Sequence, residues 1–214
     1  RPRLLNPFSI FGSFCQNDVH HEMVLFLRKT IEDWKGSLSG IDLSSANLSG
    51  ANLEGADLKK TNFSNANLSG VNLSKANVSE ANISGADLTA AYLNRADLQK
   101  TILIKTNLSN ADLSLANLKE SFLQEAYLKN SSFFKANLDK TNLSKSDLRK
   151  AILFEANLKD ADLSMADMRG AGRITVDQLC ASGTLYKTVL DPEIEKEVIN
   201  KCPQLLGRDS LGMR

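Results

Sequence analysis

The side chains that could carry chemistry are few, and their spacing argues against most of it. His20 and His21 are the only histidines, with Cys15 and Asp18 close by in sequence. On a helix, adjacent residues point about 100° apart, so the two imidazoles do not converge on one metal ion. Three cysteines, Cys15, Cys180 and Cys202, match no metal motif and are too few for a disulfide framework. Cys180 and Cys202 read as buried free thiols, with a Cys180–Cys202 disulfide as the alternative in an oxidising compartment. Gly50 and Gly55 form G-x-x-x-x-G, but Ala56-Asp57 follows where a phosphate loop needs Lys-Ser/Thr. Asp160 and Asp162 read as solvated surface carboxylates. The abundant serines face water, and no Ser/His/acid set can be assigned among them. The expectation is a protein that is not an enzyme and holds no cofactor or metal.

What would position these residues is a repeat. Read in fives from Ile41, the chain runs IDLSS, ANLSG, ANLEG, ADLKK, TNFSN. It continues without insertion or deletion to ADLSM and ADMRG at Gly170, twenty-six units in all. GSLSG at residues 36–40 is a degenerate first unit. Position 3 is large and apolar throughout, as at Leu43, Phe63, Val78 and Met168. Position 1 is small, position 2 is mostly Asn or Asp, and positions 4 and 5 are mostly Ser, Lys, Glu or Gly. A period of five is neither the 3.6 of a helix nor the 2 of a long strand. Positions 1 and 3 do share one face of a short extended segment. Each unit is therefore one short side plus a corner, and stacking such coils gives a parallel β-solenoid.

The A(D/N)LXX pattern over residues 41–170 resembles the pentapeptide-repeat family, of bacterial type. The resemblance implies an all-β fold, a right-handed quadrilateral parallel β-helix with four units per coil. It also implies that positions 1 and 3 point inward and the other three outward. Twenty-six units then make about 6.5 coils, a column roughly 31 Å long at ~4.8 Å per coil. Burying each central Leu contributes roughly 1.5–3 kcal/mol before chain entropy is counted.

Solenoid ends expose core and unpaired edges, so short α-helical caps are expected at both. Residues 1–35 read as an N-terminal extension and capping helix. Asn17 or Asp18 is its N-cap, and Val19, Met23, Phe26, Leu27, Thr30, Ile31 and Trp34 recur at helical spacing as its stripe. Residues 36–170 are the repeat column, 171–206 a C-terminal helical cap and 207–214 a disordered tail. Thr175 and Gln178 form a capping box. Asp191-Pro192-Glu193 opens a second helix that stops before Pro203. That tail also resembles segments found after bacterial pentapeptide repeats.

With four units per coil, residues 20 apart stack, and sorting the outward positions this way shows where the surface breaks its pattern. One face gathers Tyr92, Leu115, Phe134, Ile152 and Phe154, with Phe134 stacked on Phe154. The opposite face has Ile102, Ile104 and Phe122, and Tyr127 lies on a neighbouring one. Contiguous exposed apolar groups mark contacts. Three occupants stand open: Arg1–Phe14 of the chain itself, a second copy, or a foreign protein.

Charge bears on function. The chain has 26 Lys+Arg and 25 Asp+Glu among 214 residues, a net charge of +1. Residues 41–170 carry fifteen of each sign. Some family members mimic duplex DNA with an acidic column and bind DNA gyrase. A neutral column projects no such field, and the unbroken register leaves no room for the loops of those members. No nucleic acid is expected as a partner, and no apolar run approaches a membrane span. The reading is a non-enzymatic protein-interaction module whose partner is an unknown protein or a second copy. A DNA-mimicking gyrase or topoisomerase regulator is the alternative. The compartment reads as cytoplasmic. Because the chain begins at Arg1 and not Met, periplasm and thylakoid lumen stay open.

Overall fold

The computed structural model describes residues 38–207. Parallel β-bridges join Asp42 to Asn62, Asn62 to Asn82 and Asn82 to Ile102, and the same 20-residue step continues to Asp147 and Asp167. Twenty residues are four units, so each coil has four sides. We number them by their first complete unit: side 1 from Ile41, side 2 from Ala46, side 3 from Ala51, side 4 from Ala56. The bridge on each side is a single residue, at position 2. A side only three residues long before its corner has no room for more, so the β structure is a ladder of isolated bridges and not of extended strands.

Every donor in a unit has an assigned place. The position-2 N–H bonds down the column, as in Asn62 to the Ile41 carbonyl at 2.9 Å. Positions 3 and 5 bond up it, as in Leu43 to Asn62 at 2.7 Å and Ser45 to Ser64 at 2.9 Å. The position-1 N–H closes the corner onto the preceding position-3 carbonyl, as in Ala46 to Leu43 at 3.1 Å. Position 5 has φ near +60°, from 52° at Lys135 to 71° at Gly40, while position 4 does not. That pattern is a type II turn, which favours Gly or Asn at position 5. Lys and Glu fill twelve of the twenty-six sites over residues 41–170 instead, and the bonded N–H of the same residue holds them there.

The last donor, the position-4 N–H, accounts for the Asn/Asp rule. Its acceptor is the position-2 side chain two residues earlier, as in Ser44 to Asp42 Oδ1 at 2.9 Å and Ser74 to Asn72 Oδ1 at 3.0 Å. This is an Asx turn. The same side chains also ladder between coils: Asn157 Nδ2 donates to Asn137 Oδ1, and Asn137 Nδ2 to Asn117 Oδ1. Position-4 serines join the arrangement, with Ser69 Oγ donating to Asn67 Oδ1 at 2.8 Å. Ser74 is buried, so the expectation that these serines simply face water is corrected.

Position 3 fills the axis. Leu53, Leu58, Phe63, Leu68 and their successors are fully buried, as are the position-1 alanines from Ala51 to Ala166. Where position 1 is Ser or Thr, its hydroxyl finds a buried carbonyl: Thr101 Oγ1 donates to Val78 O and Ser131 Oγ to Leu128 O.

The repeat does not end at Gly170. After an interruption it resumes as Gly183–Lys187 and Thr188–Pro192, with Thr184 bridged to Asp162 and Val189 to Asp167. Leu185 and Leu190 take the buried central position. Lys187 has the corner φ of 56°. The region expected as a helical cap therefore also supplies two sides of a further coil. The interruption contains helix α1 (Val176–Cys180), whose Leu179 is fully buried. Helix α2 (Pro192–Lys201) and a 3₁₀ turn (Pro203–Leu206) follow, and Val198 and Cys202 join the core. The expected extension and helix over residues 1–35 and the tail beyond Gly207 lie outside the described residues. So do Cys15, Asp18, His20 and His21.

Candidate interaction surface

The Asx turn sets the frame in which the outward apolar residues stand out. Tyr92, Ile102, Phe122, Tyr127 and Ile152 all occupy position 2, and none can accept the position-4 N–H. Each departure gives up a hydrogen bond worth about 0.5–1.5 kcal/mol and adds nothing to the axis. The column does not need these residues, which leaves the surface to account for them.

On side 3, Phe134 and Phe154 stack with ring centroids 5.8 Å apart and planes 14° from parallel. Lys135 Nζ lies 5.4 Å from the Phe134 ring, and the Arg173 guanidinium lies 5.7 Å from the Phe154 ring. The two rings are half-buried, covered in part by each other and by these cations, and not fully outward as expected. Ile152 and Leu115 are exposed next to them, and Leu115 N–H bonds to the Phe134 carbonyl. Tyr92, 55% exposed, stands apart, separated from Ile152 by Asp112 and Ser132. The expected single patch is therefore a cluster of four at the C-terminal end of side 3 plus an isolated tyrosine.

On side 1, Ile102 and Phe122 are bridge partners, exposed one above the other. Ile104 at the next corner is half-buried. Tyr127, on side 2 of the same coil as Phe122, is 56% exposed. Met165, Tyr186 and Val189 are exposed too. Met165 was accessible to the 20-residue sorting. Tyr186 and Val189 were not, because their units lack the A(D/N)L signature.

Nine of the fifteen cations over residues 41–170 are paired locally. At the position-5 corner of side 4, Lys60, Glu80, Lys100, Glu120, Lys140 and Asp160 alternate in sign coil by coil. Lys60 meets Glu80 at 3.5 Å, and Lys100 meets Glu120 at 3.8 Å. The hydrogen bond from Lys59 holds the Glu80 carboxyl below the usual range. On side 2, Arg149 bonds Asp147 at 2.6 Å and Arg169 bonds Asp167 at 2.5 Å. These hydrogen bonds hold both aspartates below their ordinary range, against the opposing effect of burial.

At the end of the column, Thr175 and Gln178 close the capping box. Gln178 Nε2 also donates to the carbonyls of Leu153 at 2.9 Å and Ala156 at 2.8 Å. Asp191 is the N-cap of α2 by position, but its carboxylate accepts the Gly170 N–H instead of capping the helix. Cys180 and Cys202 are disulfide-bonded, with Cα atoms 5.8 Å apart. An open hollow of about 570 Å³ beside the stacked rings is lined by Phe154, Glu155, Arg173, Ile174, Thr175 and Gln178. No described helix is long and apolar enough to cross a membrane.

A family model for pentapeptide repeats matches in eight copies, over residues 37–74, 72–110 and 111–149. Among solved structures, the chain is similar to HetL, a pentapeptide repeat protein involved in heterocyst differentiation regulation from the cyanobacterium Nostoc. The two are 33% identical, with 64% of this chain and 70% of that one covered and a TM-score of 0.37. It is similar to a pentapeptide repeat protein from the Arabidopsis thaliana thylakoid lumen, at 26% identity over 68% and 91% of the two chains, TM-score 0.33. It is also similar to QnrB1, a plasmid-mediated fluoroquinolone resistance protein, at 18% identity over 76% and 85%, TM-score 0.40. The comparison with curated proteins gives no match.

Proposed function

The chain belongs to the pentapeptide repeat family, and on that premise we propose that it is a non-enzymatic platform presenting rigid sides to a protein. We take the hand and cross-section of the column to be those of the family, a right-handed quadrilateral β-helix closed by helices. The observation that carries the reading is the set of position-2 residues that forgo the Asx turn. Tyr92, Ile102, Phe122, Tyr127 and Ile152 each give up a structural hydrogen bond for an exposed apolar group, which fits a surface that is covered in use.

The gyrase alternative is less well supported. Fifteen cations balance fifteen anions over residues 41–170, and a column with no net charge projects little long-range field. Absence of any effect on gyrase supercoiling at large molar excess is the expected result. The disulfide between Cys180 and Cys202 favours an oxidising compartment, periplasm or thylakoid lumen, over the cytoplasm.

Photo-crosslinking tests the platform. A benzophenone side chain is placed at Ile152, or at Asn52 on the same side five coils below. The expected result in the native extract is a discrete adduct, with another protein or with a second copy, from position 152 and none from position 52. Equal labelling from both positions, or none from 152, overturns the reading.

A further inference from the structure

The C-terminal end of side 3 differs from the rest of that side in charge. On its last three coils the corner entering the side carries Lys129, then Arg149 with Lys150, then Arg169. The corner leaving it carries Lys135 and Arg173. The entering corner of the lower coils is uncharged: Ser49-Gly50, Ser69-Gly70, Thr89-Ala90 and Ser109-Asn110. The carboxylates on the cationic stretch are Asp147, Asp167 and Glu155, already engaged by Arg149, Arg169 and Lys135, and Asp191, which accepts the Gly170 N–H. Among the described residues, Lys129, Lys150 and Arg173 have no carboxylate partner.

Two further observations fall on the same spot. Ile152 cannot accept the Phe154 N–H, and the Ser132 hydroxyl is turned to Ser114 Oγ at 2.9 Å, away from the Phe134 N–H. Both phenylalanine N–H groups are thus without an acceptor among the described residues. Beside Phe154 the column's next coil swings away at Arg173 and leaves the 570 Å³ hollow, whose apolar lining is Phe154 and Ile174. An apolar lining, unpaired cations on both edges and two unpaired backbone donors describe one ligand chemistry.

We infer that this end of side 3 binds a short segment of a partner protein in which an apolar residue is flanked by carboxylates. The inference rests on the platform reading and specifies its partner. The apolar residue lies against Phe154 and Ile152 and enters the hollow. The carboxylates meet Lys129 and Lys150 on one edge and Arg173 on the other. The chain's own Arg1–Phe14 does not match, since it carries Arg1 and Arg3 and no acid. A second copy brings the same cationic edges to itself in a two-fold pairing and is repelled.

The test uses the full chain, immobilised, against a displayed library of random 12-residue peptides. Enriched segments are expected to pair an aromatic or aliphatic residue with Asp or Glu. Their affinity is read by fluorescence anisotropy. It should fall about tenfold or more, some 1.4 kcal/mol, with Phe134→Ser/Phe154→Ser and separately with Lys129→Ser/Lys150→Asn. These residues are common at the same repeat positions, so the column stays folded, as circular dichroism would verify. Enrichment without acids, binding unchanged in both variants, or no enrichment overturns the inference. A crosslink from position 152 alongside any of these would leave the platform standing. Adsorption to phosphatidylglycerol vesicles that both variants abolish would reassign the surface to lipid. A dimer in light scattering that Phe134→Ser/Phe154→Ser splits would reassign it to self-association.

Discussion

At the residue scale, the position-2 side chain does more than face solvent. Asn72, Asn137 and their counterparts turn the chain's own N–H inward on itself and tie adjacent coils together. Restoring that residue where it is missing should therefore stabilise. Phe122→Asn gives the Gln124 N–H an acceptor and places an amide below Asn142. The expected gain is about 0.5–1.5 kcal/mol, seen as a rise in melting temperature. A fall would show that Phe122 packs against something the column needs. A second residue-scale effect is acid sensitivity. The hydrogen bonds from Arg149 and Arg169 lower the Asp147 and Asp167 carboxyls. A carboxyl lowered by folding stabilises the fold above its unfolded value, and that contribution is lost as pH falls through the lowered one. Asp147→Asn/Asp167→Asn should be less stable than wild type at pH 7. Between about pH 5 and pH 2 it should lose less stability than wild type does. Parallel melting-temperature profiles over that range would refute the assignment.

At the element scale, the end of the column is held by one side chain with three tasks. Gln178 accepts the Thr175 N–H, and its amide donates to the corner carbonyl of Leu153 and to the Ala156 carbonyl, which the next coil does not reach. Gln178→Ala leaves the Ala156 carbonyl without its donor, while Leu153 O keeps the Ala156 N–H at 3.1 Å, at a cost of about 1–3 kcal/mol. Repeat columns transmit such losses only to their neighbours. Amide hydrogen exchange should quicken over residues 175–206 and stay unchanged over residues 41–130. Uniform quickening would mean that the end and the column unfold as one unit. The element scale is also where pattern reading met its limit. Thr175 and Gln178 sit in adjacent turns of sequence, so their capping box could be read directly. Gly183–Lys187 and Thr188–Pro192 could not be seen as repeat units, because they keep the central leucine but lose the Ala and the Asn/Asp around it. Their alignment on Asp162 and Asp167 follows from the ten-residue excursion through α1, which shifts the stacking step from 20 to 22.

At the scale of the whole molecule, the disulfide joins the end of α1 to the end of α2 across 22 residues of chain. Closing a loop of that size contributes about 3 kcal/mol. Cys202→Ser should lower the melting temperature of the C-terminal end and leave the repeat column near its wild-type value. Reductant should do the same to wild type and nothing more to the variant. A column that melts with its end in every case would refute this division.

The coil architecture was legible without coordinates because it depends on repetition. A small residue and a large one, two apart and renewed every five, fit one face of a short extended side, and twenty-six copies leave no other register. The stacking of Phe134 on Phe154 follows from the same period. Three features were not legible. The Asx role of position 2 needs the direction of a backbone N–H, which periodicity does not contain. The retreat of Phe134, Phe154 and Ile104 into half-buried positions depends on what neighbouring coils place beside them. The convergence of Lys129, Lys150 and Arg173 around one apolar lining joins residues whose sequence separation reflects two different corners and the break at Arg173. Local pattern sets which way each side chain faces, and coil stacking sets which side chains meet, because neighbours along the column are twenty residues apart along the chain.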